Sequence, residues 1–393
     1  MSARQPILIA GGGIGGLALA LALARRDHPS VVLERQQEFV PLGAGIQIGP
    51  NGMQVLQALG IADALRPFAG VPEAIVVHAG SSGRILTRLP LGNWIASRHG
   101  APYWVAHRGD LHRVLLHAAA SEPHITISTG FDVVSVSQTE TGVTAADRSG
   151  ATVAGRALIG ADGLWSTVRH SFSGMPAPEF AGATATRTVI PAGQAGRLGI
   201  PEVGLWINPH AHVVHYPVRG GSEIAVVVIA SETWQSREWD AEADAATLLA
   251  QLAGFHPSLT SVLRDVSSWR KWSLYRLPPL PTWTSGRVAL LGDAAHPMLP
   301  YLAQGGALAM EDALVLANCV YAADNVSAGL ERYASLRRDR ARSVQAASAR
   351  QGRIYRLSPP LSHVRDVVFR LAPATRLMAR LDWLYDWRPP GQQ

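Results

Sequence analysis

Ile7-Leu8-Ile9-Ala10-Gly11-Gly12-Gly13-Ile14-Gly15-Gly16-Leu17 is the stretch that decides how this chain folds. Four apolar residues read as a buried strand. The next six satisfy G-x-G-x-x-G and open an Ala/Leu-rich helix running to Arg26. In such a turn Gly11 makes the tight bend, Gly13 lets the backbone approach a pyrophosphate, and Gly16 lets the helix pack on the strand. The helix start offers unpaired N–H groups and a positive dipole end to phosphates. The following strand, Val31–Glu34, ends on a carboxylate suited to a ribose diol. Leu17, Leu19, Leu21 and Leu23 alternate as a strand does. The alanines between them keep helix propensity high, so a fully buried helix is expected. The glycines also break the apolar run Ile7–Ala24, which excludes a signal-peptide core or a spanning helix there.

The composition agrees with a folded, multi-domain chain. Its 393 residues are 47% hydrophobic and only 16% charged, which excludes intrinsic disorder and predicts two or three domains. The single cysteine, Cys319, excludes an intrachain disulfide framework and a cysteine-built zinc site, and no metal site is expected. Together with the lack of a spanning stretch, this predicts a cytoplasmic protein. The formal charge of +6 is carried almost wholly by arginine, Lys271 being the only lysine. No run of five like charges and no nucleic-acid motif appear, so scattered anion sites are the better explanation.

Beyond the opening unit comes the glycine-rich loop Gly43–Asn51, then a hairpin within residues 73–99. A helix follows His107-Arg108-Gly109-Asp110. Short strands are expected at Ile125–Ser128, Val133–Ser137, Val143–Ala146 and Thr152–Ile159. Residues 176–280 are strand-rich (Val203–Ile207, Val213–Tyr216, Ile224–Ile229) with one acidic helical stretch, Asp240–Ala253. Val288–Leu291 reads as a last buried strand, Gly306–Gln351 as one long helix, and a shorter helix ends in Trp383, Tyr385 and Trp387, which cover apolar surface or a subunit contact. The expected fold is α/β: a Rossmann-like nucleotide-binding domain with an inserted mixed β-sheet substrate domain and C-terminal helices. Its parts are residues 1–175 (73–99 joining the inserted sheet), 176–280, 281–350 and 351–393.

Two further strand ends carry acids beside glycine, Gly160-Ala161-Asp162-Gly163 and Leu291-Gly292-Asp293, where α/β sheets place ligand-facing residues. Read alone, the first is a turn with an Asx cap. With the fingerprint, both suggest an extended cofactor. These motifs, with His107-Arg108-Gly109-Asp110-Leu111, Asp293-Ala294-Ala295-His296-Pro297, Gln304-Gly305-Gly306 and Glu311-Asp312-Ala313, span nearly the whole chain. In that order they resemble the single-component FAD-dependent aromatic hydroxylases of the salicylate hydroxylase and 3-hydroxybenzoate 6-hydroxylase kind.

The resemblance implies FAD, with NADH (or NADPH) as a transient co-substrate, dioxygen and an aromatic small molecule as reactants, and a homodimer as one possible assembly. It implies that Gly11, Gly13, Ile14, Gly15, Gly16, Gly45 and Gln47 belong to the FAD site. Glu34 would take the adenosine ribose, Arg35 and Arg108 the adenosine and pyrophosphate half, and Asp293 the ribityl chain. Asp162-Gly163 would serve FAD and the reduced nicotinamide. Pro300, Gly305 and Gly306 would lie beside the isoalloxazine, where a helix N-terminus favours the reduced, anionic ring. His212 and Tyr216 would touch the substrate, and Pro300 and Tyr301 would line its pocket. In 3-hydroxybenzoate 6-hydroxylases the Pro300 position can carry a polar active-site residue; here it is proline. On a strand His212, Val214 and Tyr216 face one way and His215 the other. An imidazole titrating near neutral pH makes His212 a candidate base for a phenol, and Tyr216 shares that role. His296 is expected to be structural. Arg84, Arg187 and Arg219 are candidate carboxylate partners. The implied reaction is hydroxylation of a phenolic aromatic acid, a hydroxybenzoate or hydroxypyridine carboxylate, through a flavin C4a-hydroperoxide. The alternatives are a flavin monooxygenase acting on a larger polyketide-like ring and a non-catalytic flavin-binding module.

Overall fold

The computed structural model describes residues 5–40, 43, 45–198 and 201–390; Ala44 of the quoted loop lies outside them. The strand Ile7–Ala10 is wholly buried and sits centrally in a six-stranded sheet. The order is Thr284–Ser285, Val288–Leu290, Ala157–Gly160, Ile7–Ala10, Ser30–Glu34, Ile125–Thr129, parallel except for the first, edge strand. The helix Ile14–Ala24 buries its leucines and its alanines alike, as a helix covered on all sides must. The leucine alternation is thus overridden by helix propensity and by burial of every face. The glycines have steric reasons. Gly11 has φ +107°, and a Cβ on it would lie 2.5 Å from the Ala161 carbonyl oxygen. A Cβ on Gly16 would collide with the Gly11 carbonyl.

A second, eight-stranded sheet has the order Ala241–Glu242, Arg270–Arg276, Glu179–Pro191, Glu223–Ser231, Ala211–Val218, Val203–Ile207, Ala74–Ala79, Ile85–Pro90. Its last two strands come from the early hairpin, and Ala74–Ala79 runs parallel to Val203–Ile207. Cross-strand partners share a face. One row therefore runs Trp272, Ala185, Ile229, His212, and a neighbouring row runs Arg187, Val227, Val214, Leu205.

Four expected elements come out differently. Thr152–Ile159 is two strands, because the chain bends at Gly155, where a Cβ would lie 2.6 Å from the Pro6 carbonyl. Thr152–Gly155 joins a small antiparallel sheet with Val143–Ala146 and Ser135–Gln138, whereas Ala157–Gly160 enters the nucleotide sheet. The long helix is two helices, Gly305–Tyr321 and Val326–Tyr355, the second capped by Asn325 Oδ1 accepting from Ala328 N at 2.9 Å. In the acidic stretch, Ala241–Glu242 pairs as an edge strand and Asp244 caps a short helix, Ala245–Gln251. After the long helix come three short helices, Leu361–Leu371, Ala374–Ala379 and Asp382–Tyr385, instead of one. Tyr385 is buried edge-on to Tyr103, so this end does cover the core. Among the described residues no helix is long and apolar enough to cross a membrane.

Candidate active site

Where the two sheets meet, a continuous cleft of 1460 Å³ passes from the glycine turn across the eight-stranded sheet. That exceeds the roughly 300–1,000 Å³ usual for a ligand pocket, and leaves space for a dinucleotide and a second molecule. The site residues expected from the sequence line this cleft, except Gly16, which lies behind the turn, and two of the candidate carboxylate partners, Arg84 and Arg219.

At one end Glu34 Oε2 accepts from Gly12 N at 2.8 Å and Oε1 from Gln36 N at 2.9 Å. A carboxylate has about four acceptor sites, so two remain for a diol. His112 Nε2 donates to the Gly12 carbonyl at 2.8 Å and Phe39 packs against Gly12. His112 stands four residues after Arg108 on the helix Arg108–Ala120, a spacing that could have disclosed it. Gly13 and Gly163 face open space where a side chain would intrude. Arg35 lies at the exposed rim. Deeper in, burial lowers the Arg108 pKa, with Asp293 opposing the shift. Asp293 opens onto the cleft yet is ringed by protein. Burial raises its pKa, against the attraction of His296 and Arg108. The short helix Thr167–His170 is capped by Ser166, whose Oγ accepts from Arg169 N at 2.9 Å, rather than by an Asx cap; Asp162 Oδ2 accepts from Val168 N in its first turn at 3.1 Å. Its buried Oδ1 has no partner among the described residues, and burial raises the carboxyl pKa. The helix Gly305–Tyr321 begins at Gln304 without a side-chain cap, and its first N–H groups meet the cleft at Gly305 and Gly306. An open glycine cradle, a ribose-ready acid, an unfilled buried acceptor and an uncapped helix start together fit FAD along this path.

The middle is braced by a buried charge cluster that local sequence did not reveal. Arg337 donates to Asp312 Oδ1 (2.6 Å) and Glu311 Oε2 (2.8 Å), and Arg340 donates to both oxygens of Glu311. Burial works against the Arg337 charge, yet Asp312 and Glu311 hold its pKa above the ordinary value. Asp312 Oδ2 meets His296 Nε2 at 2.5 Å and accepts from Gly292 N, while Asn51 links Glu311 to Gln304. His296 is therefore structural, tying the Asp293 turn to the helix. Further along, Gln345 and Ser348 donate to the carbonyls of Pro297 and Leu299, and the Tyr301 ring lies against Gly352.

At the far end His212, Val214 and Tyr216 face the cleft together. His215 points away and accepts from Trp206 Nε1 at 3.1 Å. His212 is 1% exposed, with Tyr301 and Tyr355 ring centroids at 5.5 and 5.2 Å. Burial, and secondarily the charge of Arg356, push its pKa down to about 3. The imidazole is thus neutral at physiological pH rather than titrating there, because desolvation outweighs everything local sequence contains. Burial raises the Tyr216 pKa, with Gln47 acting against it; Gln47 also accepts from Tyr103 at 2.6 Å. The His212 Nδ1 and the Tyr301 hydroxyl are buried without a partner among the described residues. Of the three candidate arginines only Arg187 lines the cleft, and Asp240 meets its charge at 2.7 Å. Tyr103 and Tyr355 were not foreseen; only tertiary packing brings them here.

A family model for an FAD binding domain matches residues 4–348. A 3-hydroxybenzoate 6-hydroxylase of Polaromonas naphthalenivorans is 35% identical over 98% of this chain and 96% of its own length. The chain belongs to the FAD-dependent aromatic hydroxylases. This hydroxylase is also 33% identical to a 6-hydroxynicotinate 3-monooxygenase of Pseudomonas fluorescens, over 88% of this chain and 91% of the relative. Its fold matches a salicylate hydroxylase substrate complex at TM-score 0.82 and 25% identity, covering 98% and 96% of the two chains. Klebsiella pneumoniae HpxO complexed with FAD and uric acid matches at TM-score 0.88 and 24% identity, covering 99% and 98%. The hydroxylase is accordingly an FAD-binding enzyme.

Proposed function

We propose that the enzyme adds one oxygen atom to the ring of a phenolic aromatic acid, a hydroxybenzoate or hydroxypyridine carboxylate, using NADH or NADPH as reductant. The observation that carries this reading is the chamber at His212: apolar walls (Leu205, Val214, Val227, Ile229) around two buried polar atoms, His212 Nδ1 and Tyr301 Oη, that lack partners among the described residues. Leaving such atoms unmet costs about 1–3 kcal/mol each, so a flat apolar ring bearing a hydroxyl is the ligand that relieves them. The relatives named as hydroxybenzoate and hydroxynicotinate oxygenases support the same substrate class.

Residues 1–175 and 281–350 would hold the dinucleotide, residues 176–280 with 73–99 the substrate, and residues 351–393 would close the chamber. Glu34 would hold the ribose, Arg35 and Arg108 the adenosine and pyrophosphate half, and Asp293 the ribityl hydroxyls. The Gly305–Gly306 helix start would face the isoalloxazine beside Pro300. The chemistry FAD supplies when bound is two-electron acceptance from the nicotinamide and activation of dioxygen. The chain's own work is to exclude water and manage one proton. A neutral His212 accepts a hydrogen bond from the phenol. Full transfer of that proton creates an imidazolium near Arg356, which is costly alone. The phenolate formed at the same moment compensates it, so His212 is charged only as half of that pair. Tyr216 would orient the ring through the Gln47 and Tyr103 hydroxyl–amide chain.

One observation favours a larger ring as a second reading. The cleft runs on past Leu89 beneath the C-terminal helices, between Val364, Phe369 and Leu377. The test is anaerobic loading followed by aerobic turnover with hydroxybenzoates, hydroxypyridine carboxylates and polycyclic phenols, with product and peroxide measured per nicotinamide consumed. Coupled product from a monocyclic acid supports the first reading. Coupling only with polycyclic phenols supports the second, and no stimulation by either refutes both.

A further inference from the structure

The floor of the cleft has a second end. Three strand steps from His212 in the same cross-strand row stands Trp272, about 14 Å away at about 4.8 Å per strand. Its ring lies 4.9 Å from that of Trp239, tilted by 35°. The Arg187 guanidinium sits 4.9 Å from the Trp272 centroid and 5.8 Å from that of Trp239, and the Arg108 guanidinium lies 5.4 Å from the Trp239 centroid. Arg237 lies 4.7 Å over Trp165. All six side chains line the cleft, and Trp239 is 43% exposed into it.

The loop that carries Arg237 and Trp239 is held in place at both ends. Lys271 Nζ meets Glu232 Oε1 at 2.5 Å, Ser236 N donates to Ser273 Oγ at 3.0 Å, and Asp240 accepts from Arg187. The cluster is thus preformed, and its wide indole faces interleave with guanidinium groups. A molecule that alternates flat rings with phosphates matches this arrangement, since rings stack on indoles and phosphates take guanidinium donors. A small phenol has its own chamber at the opposite end of the row, at His212.

We propose that Trp239, Trp272, Arg187 and Arg237 form the docking site of the reduced nicotinamide dinucleotide, with Arg237 taking a phosphate and Trp239 a ring. This rests on the reading above that NADH or NADPH is the reductant. It makes the flavin path a divider, with reductant entering at the tryptophan end and phenol at the histidine end.

The test uses the FAD-loaded full-length enzyme. Calorimetric titration with 1,4,5,6-tetrahydro-NAD, which resembles NADH but donates no hydride, reads binding without turnover. Anaerobic stopped-flow reduction by NADH and by NADPH gives the concentration dependence. Trp239→Ala and Arg237→Ala should each weaken the analogue by about tenfold or more, in line with the cost of losing a stacked ring or a phosphate donor. Trp239→Phe should restore most of the affinity. FAD content and affinity for the aromatic ligand should stay at the wild-type level. Wild-type affinity for the analogue in both alanine variants overturns the docking site and leaves the reductant reading intact. Failure of both NADH and NADPH to reduce the wild-type flavin overturns the reductant reading, and the docking site with it.

Discussion

Replacing His212 with glutamine should change how the enzyme responds to acid. His212 and His215 are both nearly inaccessible, and burial pushes each pKa down to about 3. In the unfolded chain an imidazole titrates at about 6.5, so as pH falls the unfolded state takes up the proton first. Stability carried by the neutral ring is complete above about pH 6.5 and drains away between 6.5 and 3. At pH 5 the loss is about 2 kcal/mol per histidine, from the ratio of the two binding polynomials. With an unfolding entropy near 2.1 cal/mol/K per residue, a chain of 393 residues shifts its Tm by about 2–3 °C for that energy. Thermal unfolding followed by circular dichroism at pH 8 and pH 5, with FAD at a fixed saturating concentration, gives the two drops. His212→Gln should lower Tm at both pH values but show a pH 8-to-5 drop smaller than wild type by about 2–3 °C. His215→Gln should do the same, and the double variant should add the two, the sites pointing to opposite faces of one strand. An identical drop in wild type and His212→Gln would show that the imidazole is not held neutral, and the argument for its role would fail with it.

Other outcomes follow from the same geometry. His212→Ala should keep its FAD but lose product formation by about 10²-fold or more, with reducing equivalents appearing as hydrogen peroxide; equal coupling in both proteins would remove it from the chemistry. Asp293→Ala should release FAD on dialysis, the loss of a charge-assisted acceptor costing about 1.5–3 kcal/mol, and an unchanged visible spectrum would count against its role. Arg337→Met leaves Asp312 with only His296 beside it and Glu311 with Arg340 alone, which should cost about 3–5 kcal/mol and lower Tm by about 4–6 °C. Asp312→Asn with Arg337→Met should recover part of that loss; no recovery would mean that the two groups act independently.

Much of this site was legible because its chemistry is local. The glycine turn, Glu34, Asp162 and Asp293 each sit where one strand ends and the next element begins, and a few neighbouring residues state what the backbone must do there. The inward alternation of His212, Val214 and Tyr216 follows from strand period alone, and it holds. What could not be read is set by remote packing. Arg337 and Arg340 look like ordinary charges on a solvated helix until Glu311 and Asp312 arrive from the preceding helix. The pKa of His212 depends on Tyr301, Tyr355 and Arg356, all from elements more than eighty positions away. The bend at Gly155 was missed because the apolar pattern continues through it, and only the close approach of Pro6 shows why glycine stands there.

The helix Val326–Tyr355 touches the loop beside the cleft at Gln345, Ser348 and Gly352, and reaches the charge cluster at Arg337. These four stations fall on one side of the helix, at offsets of eight, three and four. An evolutionary bookkeeping of lengths follows. Adding or deleting a single residue between Arg337 and Gly352 turns everything downstream by about 100° and unseats every later station at once. Lineages descending from this chain can drift in side chains between the stations but not in residue count, so length variation should collect instead at exposed turns such as the one at Gly150, where an added Cβ would meet nothing within 4 Å.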